Sequence, residues 1–506
     1  MFKKILQGSR FRALHIIMTV ALVLPMVILP AGKVAADDHF LHDETVTIGD
    51  GAAYTVHALD EGYNNNVYLS LKDMAVVLTG TQAAFSIDYI DGTFVMISGG
   101  NGNMERALNG WTDEEREIYK GKSLGSNDLT FDDTPRKYYT IRATYGDETD
   151  CFMSMINLAM LLDTNIYVSG KNSIAVEPGK RFVISPQELE GSGFFMEVNS
   201  VLVGDATTGQ VFYEYEGDKV FPIASTTKLM TCLLAEEAIA KGSISEDTMI
   251  TLSEEAERIS QSADGAIEMT AGNQAPVSEL LMGALLPSSN ECALALAEGI
   301  AGSEEAFVQM MNSRAAELSM NTAIFYNSNG LPAYNVEGIP CKRQNMMSAE
   351  DMFRLCSYIV TNCPQIKAIT STPMAYLSNL HKDITNTNSL LYNMPEITGL
   401  KTGTTTKAGA CLVTSLTVND GTMDHELVVV ELGAEGSKAR FTTSELMARY
   451  AKKIVTGEQS ASGVALGDSS VAEDGAEDAQ PKAISAEALV NMVVNGAFRL
   501  GMSQGE

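Results

Sequence analysis

The stretch ASTTKLMT at residues 224–231 places Ser225 and Lys228 three positions apart at the start of an apolar run. On a helix this spacing puts the two side chains on the same face, one turn apart. The amine of Lys228 can then reach the hydroxyl of Ser225, which is the arrangement of a nucleophile and its base. By itself the pair is weak evidence, because a solvated lysine in the first turn of a helix gives the same pattern.

Two later stretches carry polar residues at the ends of apolar elements. In LPSSNECA at 286–293, Ser288 and Asn290 separate two apolar helical runs, where Ser288 alone would be a helix cap. In TGLKTGT at 398–404, Lys401 ends a predicted strand, where alone it would protect an exposed sheet edge from aggregation. In chain order the three stretches form the SxxK, SxN and KTG signatures of penicillin-binding proteins and class A β-lactamases.

The residues around these signatures resemble the serine-type D-alanyl-D-alanine carboxypeptidases, which are low-molecular-mass penicillin-binding proteins of the S11 peptidase family. The resemblance rests on PIASTTKLMT at 222–231, NTNSLL at 386–391, GLKTG at 399–403 and AGACLV at 408–413, and it covers about residues 190–456. It implies an α/β (α+β) class, with a β-lactamase/transpeptidase-like catalytic domain. In this fold an antiparallel sheet built from distant segments is flanked by helices and carries an all-helical subdomain.

The resemblance also implies the roles of the reacting residues. Ser225 is the expected nucleophile, which forms an acyl-enzyme with a peptidoglycan stem peptide ending in D-Ala-D-Ala. Lys228 is the expected base, with a pKa lowered by burial and by the second cation, Lys401. Ser288 is expected to relay a proton toward the leaving D-alanine.

The other motif residues are expected to hold the substrate. Asn290 is expected to order the base and the substrate amide, and Lys401 and Thr402 to hold the terminal carboxylate. Gly403 is expected to leave room for a peptide along the strand edge. No metal or other cofactor is expected, because the histidines lack the spacing of metal ligands.

Two further positions complete the expected site. The backbone N–H groups of Ser225 and Thr404 are expected to meet the oxyanion. Arg440 matches a position that helps to bind the substrate carboxylate in the family, and the alternative is an arginine on a helix surface.

Two other functions remain open at this stage. A class A β-lactamase relies on a glutamate-containing loop to deacylate through water, and the corresponding stretch here, FYNSNGLP at 325–332, has no glutamate. Acylation by β-lactam antibiotics should therefore be long-lived. An inactive cell-wall-binding homologue would show a damaged signature, and all three signatures are intact.

The region before the catalytic segment contains a repeat. VYLSLKDMA at 67–75 recurs as CFMSMINLA at 151–159, and in each copy a strand leads through a serine cap, Ser70 or Ser154, into a short helix and then a hairpin. The two copies are predicted to pack together as one α+β domain at 45–180, because neither can bury its apolar face alone. This region resembles the stalk-like domain named after the N-terminal domain of copper amine oxidases.

The ends of the chain indicate export. Residues 1–36 have the basic, apolar and small-residue regions of a signal peptide, 457–482 form an acidic flexible linker, and 483–506 form a short apolar segment. The expected location is the cell wall or the outer face of the cytoplasmic membrane, with peripheral association. The net charge of −29 over 506 residues argues against nucleic acid as the main partner.

The seven cysteines contain no CxxC pair and are predicted to be mostly buried filler. A disulfide among Cys341, Cys356 and Cys363 is left open.

Overall fold

The computed structural model describes residues 39–49, 51–61, 67–102, 106–119, 128–145, 148–191, 197–261, 267–334 and 342–460. The predicted signal peptide, the apolar C-terminal segment, most of the predicted linker and Cys341 lie outside these residues.

The first part of the chain, up to residue 191, is built mainly on a mixed seven-stranded sheet. The order of its strands is β10-β11-β1-β2-β3-β9-β8, and a four-stranded sheet has the order β4-β5-β6-β7. The strands are β1 (His39–Ile48), β2 (Ala53–Glu61), β3 (Val67–Ser70), β4 (Phe85–Ile90), β5 (Thr93–Ser98), β6 (Leu129–Phe131), β7 (Thr134–Arg136), β8 (Thr140–Tyr145), β9 (Glu148–Ser154), β10 (Asn165–Gly170) and β11 (Ser173–Glu177). The helices are α1 (Leu71–Val77), α2 (Asp113–Tyr119), α3 (Met155–Leu162) and α4 (Pro186–Gly191).

The two repeat copies lie side by side in this sheet. Their strands β3 and β9 pair antiparallel, and each leads directly into a helix, as predicted. Ser70 caps α1 by accepting a hydrogen bond from Asp73 N at 3.0 Å, and Ser154 caps α3 by accepting one from Asn157 N at 3.3 Å. Such caps satisfy backbone donors that have no partner within the helix.

The second part, from residue 197, is built on a five-stranded antiparallel sheet of order β13-β12-β24-β23-β22. Its strands are β12 (Ser200–Asp205), β13 (Gln210–Tyr215), β22 (Ile397–Thr405), β23 (Gly409–Asn419) and β24 (Asp424–Ala434). Shorter strands form two-stranded pairs: β14 (Val220–Pro222) with β19 (Met346–Ser348), β15 (Met249–Thr251) with β16 (Gln274–Pro276), β17 (Ala333–Tyr334) with β18 (Lys342–Arg343), and β20 (Met374–Leu377) with β21 (Lys382–Thr385).

Helices occupy much of the long interval between β13 and β22, and one more helix follows β24. They are α5 (Lys228–Ala240), α6 (Glu254–Ser260), α7 (Val277–Leu285), α8 (Asn290–Ala301), α9 (Glu304–Glu317), α10 (Ala349–Asn362), α11 (Pro364–Thr370) and α12 (Ser437–Val455). The sequence prediction of an antiparallel sheet from distant segments with a helical insertion is confirmed, and with it the α+β class.

Both faces of the central sheet are buried. Along β24, Leu427 and Val429 pack into the core that contains α12, whereas Val428 and Val430 pack into the core of the helical insertion. Successive side chains of a strand point to opposite faces, so the run Leu427–Val430, which is covered on both sides, is apolar at every position. The sheet is therefore held rigidly between two layers, with β22 at its edge.

The six cysteines in the described ranges are buried free thiols, as the filler interpretation predicts. Cys356 and Cys363, two of the three for which a disulfide was left open, are among them. Among the helices that the structure describes, none combines the length and apolar character needed to cross a membrane.

Candidate active site

Ser225 lies in a sharp turn between a strand and a helix. A short 3-10 helix, Ala224–Thr227, follows β14 and continues directly into α5, whose first residue is Lys228. Ala224 has a left-handed backbone with φ of 47°, which turns the chain immediately before the serine. Gly330 packs beneath this turn, and a Cβ added to it would lie 1.9 Å from Ala224 O, so only glycine fits there.

The amine of Lys228 is completely buried and contacts three oxygen atoms. Its Nζ lies 3.0 Å from Ser225 Oγ, 2.8 Å from Asn290 Oδ1 and 2.9 Å from Asn329 O. The two amide oxygens are acceptors only, so they hold two N–H groups of the amine. In the neutral amine, the remaining lone pair then points at the Ser225 hydroxyl. This geometry favours proton transfer from the serine to the lysine.

Burial lowers the pKa of Lys228 to about 7, against an opposing effect of the nearby Glu291 carboxylate. The pKa of Lys401 is also lowered, first by burial and then by repulsion from Lys228. Burial and the second cation, Lys401, were both expected to lower the pKa of the base, and burial is the main cause found for Lys228. Repulsion between the two buried amines adds to the effect of burial and lowers the pKa of Lys401 further.

The second wall of the site is the junction between α7 and α8. Asn290 is the first residue of α8 and reaches the base, as described above. Ser289 caps this helix by accepting a hydrogen bond from Cys292 N at 3.0 Å. The alternative assignment of the cap to Ser288 is wrong. Ser288 has φ of 70°, is half-buried, and its hydroxyl makes no hydrogen bond within the part of the chain that the structure describes.

The third wall is the edge strand β22. The side chain of Lys401 is buried and donates to Thr402 O at 3.1 Å. Gly403 packs against the nucleophile turn, and a Cβ added to it would lie 2.8 Å from Ser225 N and 3.1 Å from the Ala224 side chain. Glycine was expected there to make room for a peptide. The contact with the turn already requires it.

Arg440 supports β22 from helix α12. It is 6% exposed, so the alternative of an arginine on the helix surface is wrong. Its Nη1 donates to Thr404 Oγ1 at 3.0 Å and to Gly403 O at 3.3 Å, and Nη2 donates to Ser437 Oγ at 3.2 Å. The guanidinium therefore holds the end of the KTG segment in place, and direct contact with a substrate carboxylate stays a prediction.

The sequence analysis missed a layer of asparagines behind the base. The stretch 325–332, considered only for its lack of glutamate, supplies the Asn329 carbonyl that binds the amine. Asn345, completely buried, donates from Nδ2 to Thr227 Oγ1 at 3.0 Å and to Asn327 O at 2.9 Å. It joins the nucleophile turn to the stretch that holds the base. The one available signal was the pair Asn327 and Asn329, which are separated by a single serine within an otherwise largely apolar stretch.

No group of three or more histidine, cysteine, aspartate or glutamate side chains in the described segments is arranged to hold a metal ion. The site presents instead the Lys228 amine, the Ser225 hydroxyl and backbone groups of the nucleophile turn and β22.

Comparison with known proteins identifies relatives of the second part. Residues 192–435 match the family model of D-alanyl-D-alanine carboxypeptidases of peptidase type S11. The chain is similar to the D-alanyl-D-alanine carboxypeptidase DacF of Bacillus subtilis, with 34% identity over 247 residues, 48% of this chain and 59% of the relative. It is also similar to a D-alanyl-D-alanine endopeptidase of Pseudomonas aeruginosa, with 31% identity over 303 residues, 59% of this chain and 87% of the relative.

Among solved structures, the chain resembles PBP3 of Streptococcus pneumoniae, titled a peptidoglycan synthesis regulatory factor. The identity is 32%, the match covers 50% of this chain and 71% of that one, and the TM-score is 0.46. The chain spans about three fifths of the length of the first carboxypeptidases it matches, DacF at 59% and the DacC carboxypeptidase of Escherichia coli at 60%. The likeness of the earlier region to the copper amine oxidase N-terminal domain stays a prediction.

Proposed function

The chain belongs to the S11 peptidase family of D-alanyl-D-alanine carboxypeptidases, and from that premise we propose that it is an exported serine carboxypeptidase acting on peptidoglycan. It removes the terminal D-alanine from stem peptides that end in D-Ala-D-Ala. One observation carries this proposal: the buried Lys228 amine lies 3.0 Å from Ser225 Oγ, with acceptors on its other two hydrogens.

In the acylation step Ser225 Oγ attacks the carbonyl carbon of the D-Ala-D-Ala bond while Lys228 takes the hydroxyl proton. The tetrahedral oxyanion is held by the backbone N–H groups of Ser225 and Thr404, donors of a kind worth a few kcal/mol. The peptide C–N bond then breaks, and the leaving amine takes a proton from the ammonium through Ser288. Water hydrolyses the ester and restores the free serine.

Substrate recognition uses the edge strand. Lys401 and Thr402 hold the terminal carboxylate, and the peptide pairs along the open edge of β22, as extended peptides do when they add to an exposed strand. Arg440 fixes the end of this strand through Thr404 Oγ1 and Gly403 O. Asn290 binds both the base and the substrate amide.

β-Lactam antibiotics acylate the same serine in this proposal. Hydrolysis of that adduct is slow, because the stretch next to the base, residues 325–332, contains no glutamate or aspartate to activate water. This feature supports a carboxypeptidase over a β-lactamase. The enzyme acts outside the cytoplasm, at the cell wall or the outer membrane face, after removal of residues 1–36.

The test is release of D-alanine from a diacyl-Lys-D-Ala-D-Ala peptide, measured for the wild type and Ser225→Ala. We expect release by the wild type alone. Intact mass after incubation with benzylpenicillin should show one stable adduct on the wild type and none on the variant. An adduct on both proteins would exclude Ser225 as the nucleophile. Rapid turnover of penicillin would indicate a β-lactamase, and neither release nor an adduct would indicate an inactive wall-binding homologue.

A further inference from the structure

A bridging segment, residues 386–393, connects the edge strand of the site to the first part of the chain. At the site end, Thr387 Oγ1 lies 2.5 Å from Thr402 Oγ1. Asn388 Nδ2 donates to Gly399 O at 3.1 Å. These contacts engage β22 two residues before and one residue after the lysine of the KTG motif.

The same end of the bridging segment also contacts the second wall. Thr387 N donates to Leu286 O at 3.1 Å, and Thr387 Oγ1 donates to the same carbonyl at 3.3 Å. Leu286 lies two residues before Ser288. Thr387 therefore contacts both the α7–α8 junction and the edge strand β22.

The other end of the bridging segment is held by residues from the first part of the chain. Arg136 Nη1 donates to Asn393 O at 2.8 Å and to Tyr392 O at 3.3 Å. Lys137 N donates to Asn393 Oδ1 at 2.8 Å. Asn393 is therefore bound through both its backbone and its side chain by the strand end at β7.

A buried carboxylate completes this anchor. Glu445 of α12 accepts hydrogen bonds from Tyr138 Oη at 2.7 Å and from Asn393 Nδ2 at 2.8 Å. Arg449 on the same helix donates to it at 2.8 Å and balances its charge. The two parts of the chain thus share a polar network of several hydrogen bonds, which favours one relative arrangement.

The bridging segment is stiff between its two ends. It contains a 3-10 helix, Ser389–Tyr392, which Asn388 caps by accepting from Leu390 N at 3.1 Å. Leu390 is completely buried in the core. A short helix that is capped and anchored in the core by Leu390 transmits a displacement of one end to the other, whereas a loop without internal contacts would absorb it.

We propose that the first part of the chain positions the carboxylate-binding strand, with Arg136 and Tyr138 as positioning residues that act through the bridging segment. This inference rests on the proposed function, in which Lys401 and Thr402 hold the substrate carboxylate. Without the anchor at Asn393, the bridging segment loses its fixed end and β22 loses a support next to the KTG motif.

The test uses two variants of the full chain, Arg136→Met and Tyr138→Phe. Arg136→Met keeps the aliphatic stem and removes the donors to Asn393 O and Tyr392 O, and Tyr138→Phe removes the donor to Glu445. Arg142→Met is the matched control, because Arg142 donates to Tyr89 Oη, within the first part of the chain. Hydrogen exchange followed by mass spectrometry should show faster exchange of residues 386–405 in both variants and no change there in the control.

Activity supplies the second readout. We expect the KM for the D-Ala-D-Ala peptide to rise roughly threefold or more in Arg136→Met, the effect of losing an ordinary hydrogen bond. The kcat should change less, because Ser225 and Lys228 keep their contacts. Arg136→Lys retains one donor and the charge and should recover most of the wild-type KM.

Unchanged exchange at 386–405 would overturn the inference, as would an equal change in the Arg142 control. Faster exchange with an unchanged KM would also overturn it, since the bridging segment would then move without affecting the carboxylate site. A wild type that neither releases D-alanine nor binds penicillin would instead refute the proposed function, and the inference about carboxylate positioning with it, whatever the exchange shows.

Discussion

The protonation state of Lys228 decides whether the site can react. Its amine has three oxygen neighbours, and only Ser225 Oγ can act as both donor and acceptor. An ammonium donates to all three oxygens and cannot take a proton. The neutral amine keeps the same two amide contacts and turns its lone pair to the serine. The contacts with Asn290 and Asn329 thus direct the lone pair of Lys228 at Ser225 Oγ as soon as the amine is neutral.

The rate of acylation should therefore depend on pH through this group. Burial lowers the pKa of Lys228 to about 7, so the neutral amine predominates above that pH and the inactive ammonium below it. We expect the second-order rate of acylation by benzylpenicillin to rise from pH 5.5 to 8, with a midpoint about pH 7. Stopped-flow or quenched intact-mass kinetics would measure this. A rate independent of pH over that interval would show that Lys228 is not the base.

Asn345 should affect the rate without touching the substrate. Its amide joins Thr227 to Asn327, so Asn345→Ala removes both contacts and leaves buried partners unsatisfied. We expect acylation to fall about tenfold or more, equivalent to about 1.4 kcal/mol of barrier.

Asn312→Ala is the control for this prediction. Asn312 binds Phe325 N and O at 3.0 Å, at the start of the same stretch, but does not reach the nucleophile turn. It should lower the melting temperature with little effect on the rate. Equal rate losses in the two variants would show that Asn345 acts only through stability.

At the scale of elements, the site depends on how closely β22 approaches the start of α5. Gly403 sets this distance, since a Cβ there would lie 2.8 Å from Ser225 N. Gly403→Ala should push the strand and the nucleophile turn apart and lower acylation about tenfold or more, with a smaller effect on the melting temperature. The acylation rate constant for benzylpenicillin and the melting temperature from thermal unfolding measure these two effects.

Gly179→Ala is a suitable comparison for this variant, because an added Cβ meets nothing within 4 Å there. Wild-type acylation by Gly403→Ala would show that the strand adjusts to the extra methyl group, and would contradict the close packing inferred here.

Elements with strong patterns could be predicted from the sequence. The apolar run and the three motifs predicted α5, the α7–α8 junction and β22, because each motif lies at the start or the end of an apolar segment. The seven-residue helices α6 and α11 were not predicted, since their few apolar positions do not establish a helical period, whereas α1, of the same length, was predicted from the repeat and its serine cap.

Side-chain contacts between distant segments could not be predicted from the sequence. No pattern indicated that Asn345 would meet Thr227, or that Arg440 would bind the back of β22. Such pairings depend on side-chain packing in three dimensions, and a single sequence records only the residue types. The expectation that burial lowers the pKa of Lys228 likewise depended on the fold, which places this side chain entirely out of solvent.

At the scale of the whole molecule, the two parts of the chain share one core. A single apolar cluster includes Leu158 and Val176 from the first part and Leu446 and Tyr450 from α12. Hydrogen bonds also join the first part of the chain to the second. Lys453 Nζ donates to Asp163 Oδ1 at 2.6 Å and to the carbonyl of residue 182 at 2.5 Å.

This continuity predicts that both parts unfold together. Many chains with two sheets melt in separate steps, but here neither part can expose its side of the shared core alone. We expect one calorimetric transition for the wild type. Lys453→Ala removes the donor to the carbonyl of buried Phe182 and one of the two cations paired with Asp163, and it should move that transition down by several degrees, for a loss of roughly 1–3 kcal/mol. Lys180→Ala removes a pair with Glu177 at the protein surface and should leave the transition in place. Two resolved transitions in the wild type, each assigned by exchange to one part of the chain, would refute the coupling.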